Sequence, residues 1–355
     1  MTTRQDQFSG TMPVREAHAF DVARLQSYME THVDGFSGRL EVRQFKGGQS
    51  NPTYLLSADG KRYVLRRKPP GKLLPSAHAV DREYRVITAL AGSGVPVPRT
   101  YALCQDESVI GTWFYVMEFA EGRIFWESTL PGLSRDERAA IYDAMNEVIA
   151  RLHQIDPAAV GLADFGKSGN YFARQISRWT KQYRASETER IEAMDKLIEW
   201  LPEHIPPDED TTIVHGDYRL DNMVFHPTEP RVIAVLDWEL STLGHPLGDF
   251  SYHLMPWRLT PDTFRGFKGV DLAALGIPDE EAYVAAYCRR TGRDGIADLD
   301  FYMAYNMFRL AAIAQGIMGR VKDGTAASRH AIETGRLARP IGEAGWAQAR
   351  AMGAR

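Results

Sequence analysis

The stretch TTIVHGDYRLDNMVF, Thr211 to Phe225, places a histidine, two aspartates, an arginine and an asparagine directly after a short β-branched run. The run TTIV is typical of a strand, and MVF indicates a second short strand. The loop between them opens at His215, and Asn222 follows Asp217 by five residues. Polar residues at a strand end form either an ordinary turn that caps backbone groups or a catalytic loop.

A second acidic strand end favours the catalytic alternative. The run RVIAVLDWEL predicts a buried strand that ends at Asp237, so two acids and an amide can converge at neighbouring strand ends. Phosphoryl transfer needs an oriented nucleophile and charge neutralisation by Mg²⁺, which prefers a few hard oxygen ligands. We therefore expect Asp217 to act as the catalytic base, and Asn222 and Asp237 to bind the metal.

The first third of the chain predicts a small antiparallel sheet. Three β-prone runs lie between residues 40 and 68, and Asp59-Gly60 is a hairpin signal between the second and third. A helical pattern follows, with Ser76 as the expected N-cap and the glycines after residue 91 ending it. VPVPRTYALC and GTWFYVMEFAEG predict two more strands, so the helix is inserted after the third predicted strand.

The rest of the chain is mainly helical in pattern. SRDERAAIYDAMNEVIARLHQID predicts a long amphipathic helix with Ser134 and Glu137 at the capping-box positions. We therefore expect an α+β protein with two lobes. A strand-rich lobe would occupy residues 1–118, and a mainly helical lobe would occupy residues 119–355.

These motifs resemble a known group of kinases. HGDYRLDN followed by LDWELSTLGHPLGDF resembles the aminoglycoside phosphotransferase and choline kinase superfamily of small-molecule kinases. The same spacing separates the catalytic residues of protein kinases. The resemblance implies a bilobal protein-kinase-like fold, with ATP and Mg²⁺ as cofactors. It implies that residues 1–118 form the nucleotide-binding lobe and that residues 119–355 form the catalytic and acceptor-binding lobe. It also implies transfer of the γ-phosphoryl group to an alcohol.

The loop FKGGQSNPTYLL stands where such a kinase covers the phosphates. Gly47 and Gly48 permit close backbone approach, and Ser50 and Asn51 can donate hydrogen bonds. The loop is not G-x-G-x-x-G, so a plain hairpin turn is the alternative.

The third strand of a kinase carries a cation that pairs with an acid on the next helix. Arg66 in YVLRRK resembles that lysine and Glu83 in DREYRV resembles the acid, with Arg67 and Lys68 as alternatives. Arginine is a departure, because its planar guanidinium binds oxygens in pairs rather than as a point charge. A catalytically inactive nucleotide-binding regulator therefore stays an alternative.

VMEFAEG resembles the segment that binds adenine through backbone groups. Met117 would lie behind the ring, with Glu118 and Phe119 beside it.

VLRRKPPGKLLPSAHAVDREYRV together with the second acidic motif resembles the kinase-like domain fused to acyl-CoA dehydrogenases and its free-standing bacterial relatives. That resemblance implies a 4-hydroxyacyl-CoA acceptor, and Lys72 could meet a CoA phosphate. Aminoglycosides and choline-type amino alcohols are the alternatives. However, the region after Asp237 lacks the dense acidic patch that a polycation needs. We expect Asp249 to anchor the catalytic loop, and a metal-dependent hydrolase without ATP is a third alternative.

Composition limits the remaining classes of protein. Net charge is −4 over 355 residues, which disfavours a nucleic-acid binder. Two cysteines without metal-ligand spacing fit a reducing cytoplasm, and neither a secretory signal nor a membrane-spanning run is present in the sequence. We therefore expect a cytoplasmic enzyme whose partner is a small-molecule hydroxyl acceptor.

Overall fold

The computed structural model describes residues 9–47, 51–69, 78–207, 210–324 and 331–355. These residues form two compact units. The first takes the chain up to Glu127 together with 160–162 and Leu220–Ser241, and the second takes Ser128–Ala159, Ala163–Arg219 and Thr242–Arg355. The lobes 1–118 and 119–355 remain a prediction.

The first unit contains a six-stranded antiparallel sheet with the order β1-β2-β3-β4-β6-β5. Its strands are β1 (Thr11–Met12), β2 (Glu41–Phe45), β3 (Thr53–Ala58), β4 (Lys61–Arg67), β5 (Thr100–Cys104) and β6 (Phe114–Glu118). Its helices are α1 (Val22–His32), α2 (Val80–Leu90) and α3 (Glu107–Ile110). Helix α2 follows β4, so the predicted sheet with an inserted helix is confirmed. The predicted cap Ser76 lies outside the described residues, and Ala79 precedes the first turn of α2.

One face of the sheet forms the core of this unit. Side chains alternate along β3, so Tyr54, Leu56 and Ala58 are buried while their neighbours are half-buried. They share a cluster with Leu25 and Met29 of α1. The period of two in a strand therefore directs the apolar set of β3 toward α1.

The β3–β4 hairpin turns at Asp59-Gly60, as predicted. Ala58 pairs with Lys61, which leaves two residues in the loop. Asp59 and Gly60 have φ angles of 48° and 73°. A turn with two left-handed residues matches the right-handed twist of its strands, and this is why the Asp-Gly pair serves here.

A second hairpin completes the first unit. Strand β8 (Met223–Phe225) pairs with β9 (Val232–Val235) in antiparallel register. A short 3-10 turn, Leu220–Asn222, precedes β8, and another, Trp238–Leu240, follows β9.

The second unit is mainly helical, as predicted. Its helices are α4 (Arg135–His153), α5 (Tyr171–Ala185), α6 (Glu192–Glu203), α7 (Pro246–Leu254), α8 (Leu272–Leu275), α9 (Glu280–Thr291), α10 (Leu299–Lys322), α11 (Ala331–Arg336) and α12 (Ala338–Ala351). Strand β7 (Thr212–Val214) pairs with β10 (Thr242–Gly244) in antiparallel register. The capping box of α4 is present, because Ser134 and Glu137 each accept a hydrogen bond from the other's backbone N–H.

Helix α10 lies at the centre of this unit. Nearly all of its residues from 301 to 316 are buried, and it contacts α5, α7 and α12. Although α10 is 24 residues long, the described part of the chain holds no helix with the length and apolar character needed to cross a bilayer.

A buried histidine on α7 makes stability depend on pH. His253 lies 2.7 Å from the Tyr283 hydroxyl through its Nε2 atom. Burial lowers the pKa of His253 from 6.5 to about 4. Between these values the unfolded chain binds a proton that the folded chain does not. The free energy of unfolding should therefore fall by about 3 kcal/mol as the pH drops from 6.5 to 4.

This expectation is measured by urea unfolding at pH 7.5, 5.5 and 4.5 on the intact chain and on His253→Gln. The variant should lose less stability over that range, because it has no imidazole to protonate. His204→Gln serves as a control, since His204 is exposed. Equal pH dependence of the intact chain and His253→Gln would assign the effect to other groups.

Candidate active site

The loop that leaves β7 is held by a buried carboxylate. Asp249 on α7 accepts the backbone N–H groups of His215 at 2.7 Å and Gly216 at 2.8 Å, and His153 Nε2 lies 3.3 Å from it. Burial alone would raise the pKa of Asp249, but the hydrogen bond from His153 and the neighbouring His215 hold that pKa below its usual value. Asp249 therefore anchors the loop, as expected from its place in the second motif.

Replacing Asp249 by asparagine should lower the free energy of unfolding by about 2 kcal/mol, because the amide turns one buried acceptor into a donor that faces a backbone N–H. Denaturant unfolding measures the change. Asp143→Asn is the control, since Asp143 is largely exposed and pairs with Arg290 at the surface. If both variants lost equally little stability, the loop would be held by other contacts.

Asp217 lies in this loop with its carboxylate held by two neighbours. The Tyr252 hydroxyl donates to Oδ1 at 2.6 Å, and Arg219 places Nε 3.0 Å from Oδ1 and Nη2 3.2 Å from Oδ2. The Asp217 side chain is 18% exposed. The carboxylate is therefore oriented by its own loop and by α7, and part of it stays open to a ligand.

The two predicted metal ligands belong to the first unit, and the β8–β9 hairpin brings their backbones together. Leu236 donates its N–H to the Asn222 carbonyl at 2.8 Å, so Asp237 stands one residue beyond that pairing. Asp237 adopts a left-handed conformation with φ of 66°. This uncommon backbone conformation turns the chain sharply at the end of the β8–β9 hairpin.

The predicted cation and its predicted acid form a buried cluster with Asp237. Arg66 Nε lies 2.9 Å from Glu83, and Arg66 Nη2 lies 2.5 Å from Asp237 and 3.6 Å from Glu239. Burial opposes the charge on Arg66, but Asp237 and Glu83 raise the pKa of the guanidinium. Burial also raises the pKa of Glu83, with a further contribution from the charge of Asp237. One guanidinium thus bridges β4, α2 and the end of β9.

Asn51 belongs to the same cluster. It is fully buried, and its amide donates to Glu83 at 2.8 Å and to Glu239 at 3.2 Å. Its carbonyl lies 2.9 Å from His78 Nδ1. We expected Asn51 to donate to a nucleotide, whereas the structure commits its amide to the acids around Arg66.

The other residues predicted to bind nucleotide are placed as follows. Gly47 follows β2, while Gly48 and Ser50 lie outside the described residues, as does Lys72. Met117 is buried in β6, and the Glu118 N–H donates to the Arg99 carbonyl at 2.8 Å. Phe119 stacks on Phe45, and the guanidinium of Arg62 lies over the Phe119 ring.

The donor set at the end of the hairpin fits Mg²⁺. Asn222 and Asp237 offer one amide oxygen and one carboxylate, and Mg²⁺ takes few protein oxygens because it keeps waters and phosphate oxygens. Within the described ranges, no group of three or more His, Cys, Asp or Glu side chains is arranged to hold a metal.

The sequence did not identify two side chains beside the loop that holds Asp217. These are Tyr252 on α7 and Arg309 on α10, and both reach the loop from helices that are distant in the sequence. Arg309 on α10 donates from Nη2 to the Gly216 carbonyl at 2.7 Å. An arginine on an otherwise apolar helix face was the one signal that could have drawn attention to it.

Three features are typical of a phosphotransferase. They are the antiparallel sheet, the loop that holds Asp217, and the Arg66 guanidinium with its neighbouring acids. The model of the phosphotransferase enzyme family, APH, matches residues 41–305. The chain belongs to this family.

Curated relatives narrow the resemblance. Acyl-CoA dehydrogenase family member 10 of Mus musculus is 48% identical over 95% of this chain and 32% of that protein. Family member 11 of Homo sapiens is 44% identical over 92% of this chain and 43% of that protein. The chain thus spans less than half of the length of these relatives, which confirms the resemblance to a domain of acyl-CoA dehydrogenase family members.

Solved structures confirm the protein-kinase-like fold. A protein of Ralstonia eutropha JMP134, provisionally named an aminoglycoside phosphotransferase, is 59% identical with a TM-score of 0.86, over 94% of this chain and 99% of that one. Choline kinase of Cryptosporidium parvum Iowa II has a TM-score of 0.62 at 12% identity, over 94% and 96%. Aminoglycoside phosphotransferase APH(4)-Ia, solved with AMP-PNP and hygromycin B, has a TM-score of 0.60 at 16% identity, over 91% and 98%.

Proposed function

We propose that this phosphotransferase is a Mg²⁺- and ATP-dependent kinase that transfers the γ-phosphoryl group to the hydroxyl of a small molecule. The observation that carries the proposal is the Arg66 cluster, in which one guanidinium contacts both the acid on α2 and Asp237. A kinase needs a cation for the phosphates, held by a helix acid and set near the metal-binding carboxylate. The AMP-PNP bound by one structural neighbour supports ATP as the donor.

Each residue then has a stated role. Arg66 binds phosphate oxygens, Glu83 positions Arg66, and Asn222 with Asp237 would hold Mg²⁺. The bound ion supplies positive charge that offsets the charge developing on the phosphoryl oxygens. Asp217 orients the acceptor hydroxyl and accepts its proton as the oxygen attacks.

We propose that Gly47, Gly48 and Ser50 approach the nucleotide phosphates, and that Met117, Glu118 and Phe119 lie beside the adenine. Asn51 acts through Glu83, since its amide is bonded to that carboxylate.

The proposed acceptor is a 4-hydroxyacyl-CoA. The names of the curated relatives associate similar chains with acyl-CoA chemistry. The name of the Ralstonia eutropha protein favours an aminoglycoside instead, and the choline kinase neighbour represents an amino alcohol. These two remain the competing acceptors.

A screen for ADP release tests the function. The intact chain would be mixed with Mg²⁺ and ATP, and then with 4-hydroxyacyl-CoAs, choline or aminoglycosides. ADP should appear only with a hydroxyacyl acceptor and only with Mg²⁺, and mass spectrometry should find the acceptor heavier by one phosphate. Nucleotide binding without acceptor-dependent ADP would indicate the inactive regulator. Phosphoester turnover without nucleotide would indicate the hydrolase.

We also propose that the protein is cytoplasmic and acts on small molecules rather than nucleic acid. Both cysteines, Cys104 and Cys288, are buried free thiols, which fits a reducing compartment. The division into lobes 1–118 and 119–355 belongs to the same proposal.

A further inference from the structure

A buried guanidinium beside the catalytic loop has no carboxylate partner in the described part of the chain. Arg309 is 6% exposed. Its Nη2 donates to the Gly216 carbonyl, and its guanidinium carbon lies 5.1 Å from the ring centre of Tyr252 and 5.6 Å from that of Trp179. A carbonyl and two aromatic faces stabilise a cation, but they do not neutralise it.

The acids near Arg309 are bonded to other groups. The Asp217 carboxylate contacts Arg219 and the Tyr252 hydroxyl, and the Asp249 carboxylate accepts the backbone N–H groups of His215 and Gly216. The Arg309 guanidinium is therefore held by a carbonyl and aromatic rings rather than by an ion pair. A buried guanidinium in these surroundings favours a ligand that brings a negative charge or an electron-rich oxygen.

A second hydrogen-bond donor lies beside the Arg309 guanidinium. Trp179 on α5 is 7% exposed, and its indole N–H has no hydrogen-bond acceptor among the described residues. An indole nitrogen can only donate. Trp179 therefore lacks an oxygen acceptor of the kind that an acyl group carries, and its ring lies beside the Arg309 guanidinium.

Tyr252 contacts both Arg309 and Asp217, the proposed catalytic base. Its hydroxyl donates to Asp217, while its ring contacts the Arg309 guanidinium. Phe264 packs against Tyr252 with a centroid distance of 6.1 Å, from a loop in which Phe264 and Arg265 have φ angles of 59° and 54°. Two consecutive left-handed residues are costly, and such strain is found where the surrounding fold imposes it.

We propose that Arg309 is a specificity-determining residue that binds the acyl oxygen of the acceptor, while the acceptor hydroxyl faces Asp217. The acceptor class is a hydroxyacyl compound, whose acyl oxygen is either a carboxylate or a thioester carbonyl. An amine in the place of the acyl oxygen is disfavoured, because it would meet the Arg309 guanidinium. This inference rests on the proposed kinase function and specifies the substrate of the same site.

Matched acceptors test it. 4-Hydroxypentanoate and pentane-1,4-diol carry the same secondary hydroxyl, but only the first has an acyl oxygen. The intact chain should have a lower KM for the hydroxy acid, and Arg309→Gln should raise that KM by about 10- to 100-fold, as for a lost charged hydrogen bond. The KM of the diol should change by less than about twofold in the same variant. Arg309→Lys should recover part of the loss.

Arg178→Gln is the control variant. Arg178 is exposed and also lies over Trp179, with its guanidinium carbon 5.5 Å from the ring centre. The Arg178→Gln variant should leave the KM of the hydroxy acid and the KM of the diol unchanged. If Arg309→Gln impaired the acid and the diol equally, Arg309 would only position Gly216 and the proposal would be overturned. A lower KM for choline than for the hydroxy acid in the intact chain would overturn the proposal as well.

Calorimetric titration of the acceptors without ATP separates this inference from the kinase function. Binding of the hydroxy acid that weakens in Arg309→Gln supports the subsite even if no acceptor is phosphorylated. Phosphorylation of a hydroxyacyl compound whose binding ignores Arg309 supports the kinase and rejects the subsite. Repeating both titrations with the CoA thioester distinguishes a carboxylate from a thioester carbonyl.

Discussion

Turnover by Asp217→Asn should fall by about 10²- to 10⁴-fold, which is the usual contribution of a positioned general base. Asparagine keeps the shape of the side chain and can still accept from the Tyr252 hydroxyl, which lies 2.6 Å from Asp217 Oδ1. It cannot take a proton from the acceptor. Initial rates of acceptor-dependent ADP release measure kcat, and calorimetry measures ATP affinity, which should stay close to that of the intact chain.

Asp262→Asn provides the matched control for this variant. Asp262 is an exposed aspartate of the same unit, so removing its charge should leave kcat unchanged. Full activity of Asp217→Asn would remove Asp217 as the base. A parallel loss of ATP affinity would instead indicate a damaged loop, and a thermal unfolding scan would detect it.

Asp237→Ala should abolish the metal-dependent part of nucleotide binding. Loss of a group that only supports a metal ligand already lowers metal affinity by about 10- to 100-fold, so loss of a ligand should cost at least that much. Titration of ATP with and without Mg²⁺ measures the difference. In the intact chain Mg²⁺ should tighten ATP binding, and in the variant it should not.

Glu83→Gln separates the metal role of Asp237 from its contact with Arg66. Both acids contact the same guanidinium, but only Asp237 stands at the end of the β8–β9 hairpin beside Asn222. Glu83→Gln should therefore weaken ATP binding while Mg²⁺ still improves it. Unchanged Mg²⁺-dependent affinity in Asp237→Ala would refute the metal assignment.

Local features of the fold were predictable because neighbouring residues decide them. Asp59-Gly60 supplies two residues that tolerate positive φ, and Ser134 with Glu137 supplies two reciprocal acceptors at a helix start. Alternation along β3 assigns Tyr54 to the core without knowledge of its partner. None of these features depends on a distant part of the chain.

The pairing of Arg66 with Glu83 is a long-range contact that a motif predicted. Their pairing was expected from the resemblance to kinases, and the two side chains lie 2.9 Å apart. The same reasoning did not anticipate that Asn51 would be buried against Glu83 and Glu239, because Asn51 and Glu239 are 188 residues apart in the chain. A glycine-rich stretch does not reveal which of its polar residues turns inward.

The order of strands and helices, the turns and caps, and the position of the acidic loop residues follow from this sequence alone, since they depend on periodicity and on contacts within a few residues. The charge balance around Asp217 was decided only by the tertiary structure. Arg309 reaches the loop from α10, 93 residues after Gly216, and its burial leaves a guanidinium without a described counter-ion. Whether a charge is buried or paired depends on which distant elements surround it, and no local pattern records that.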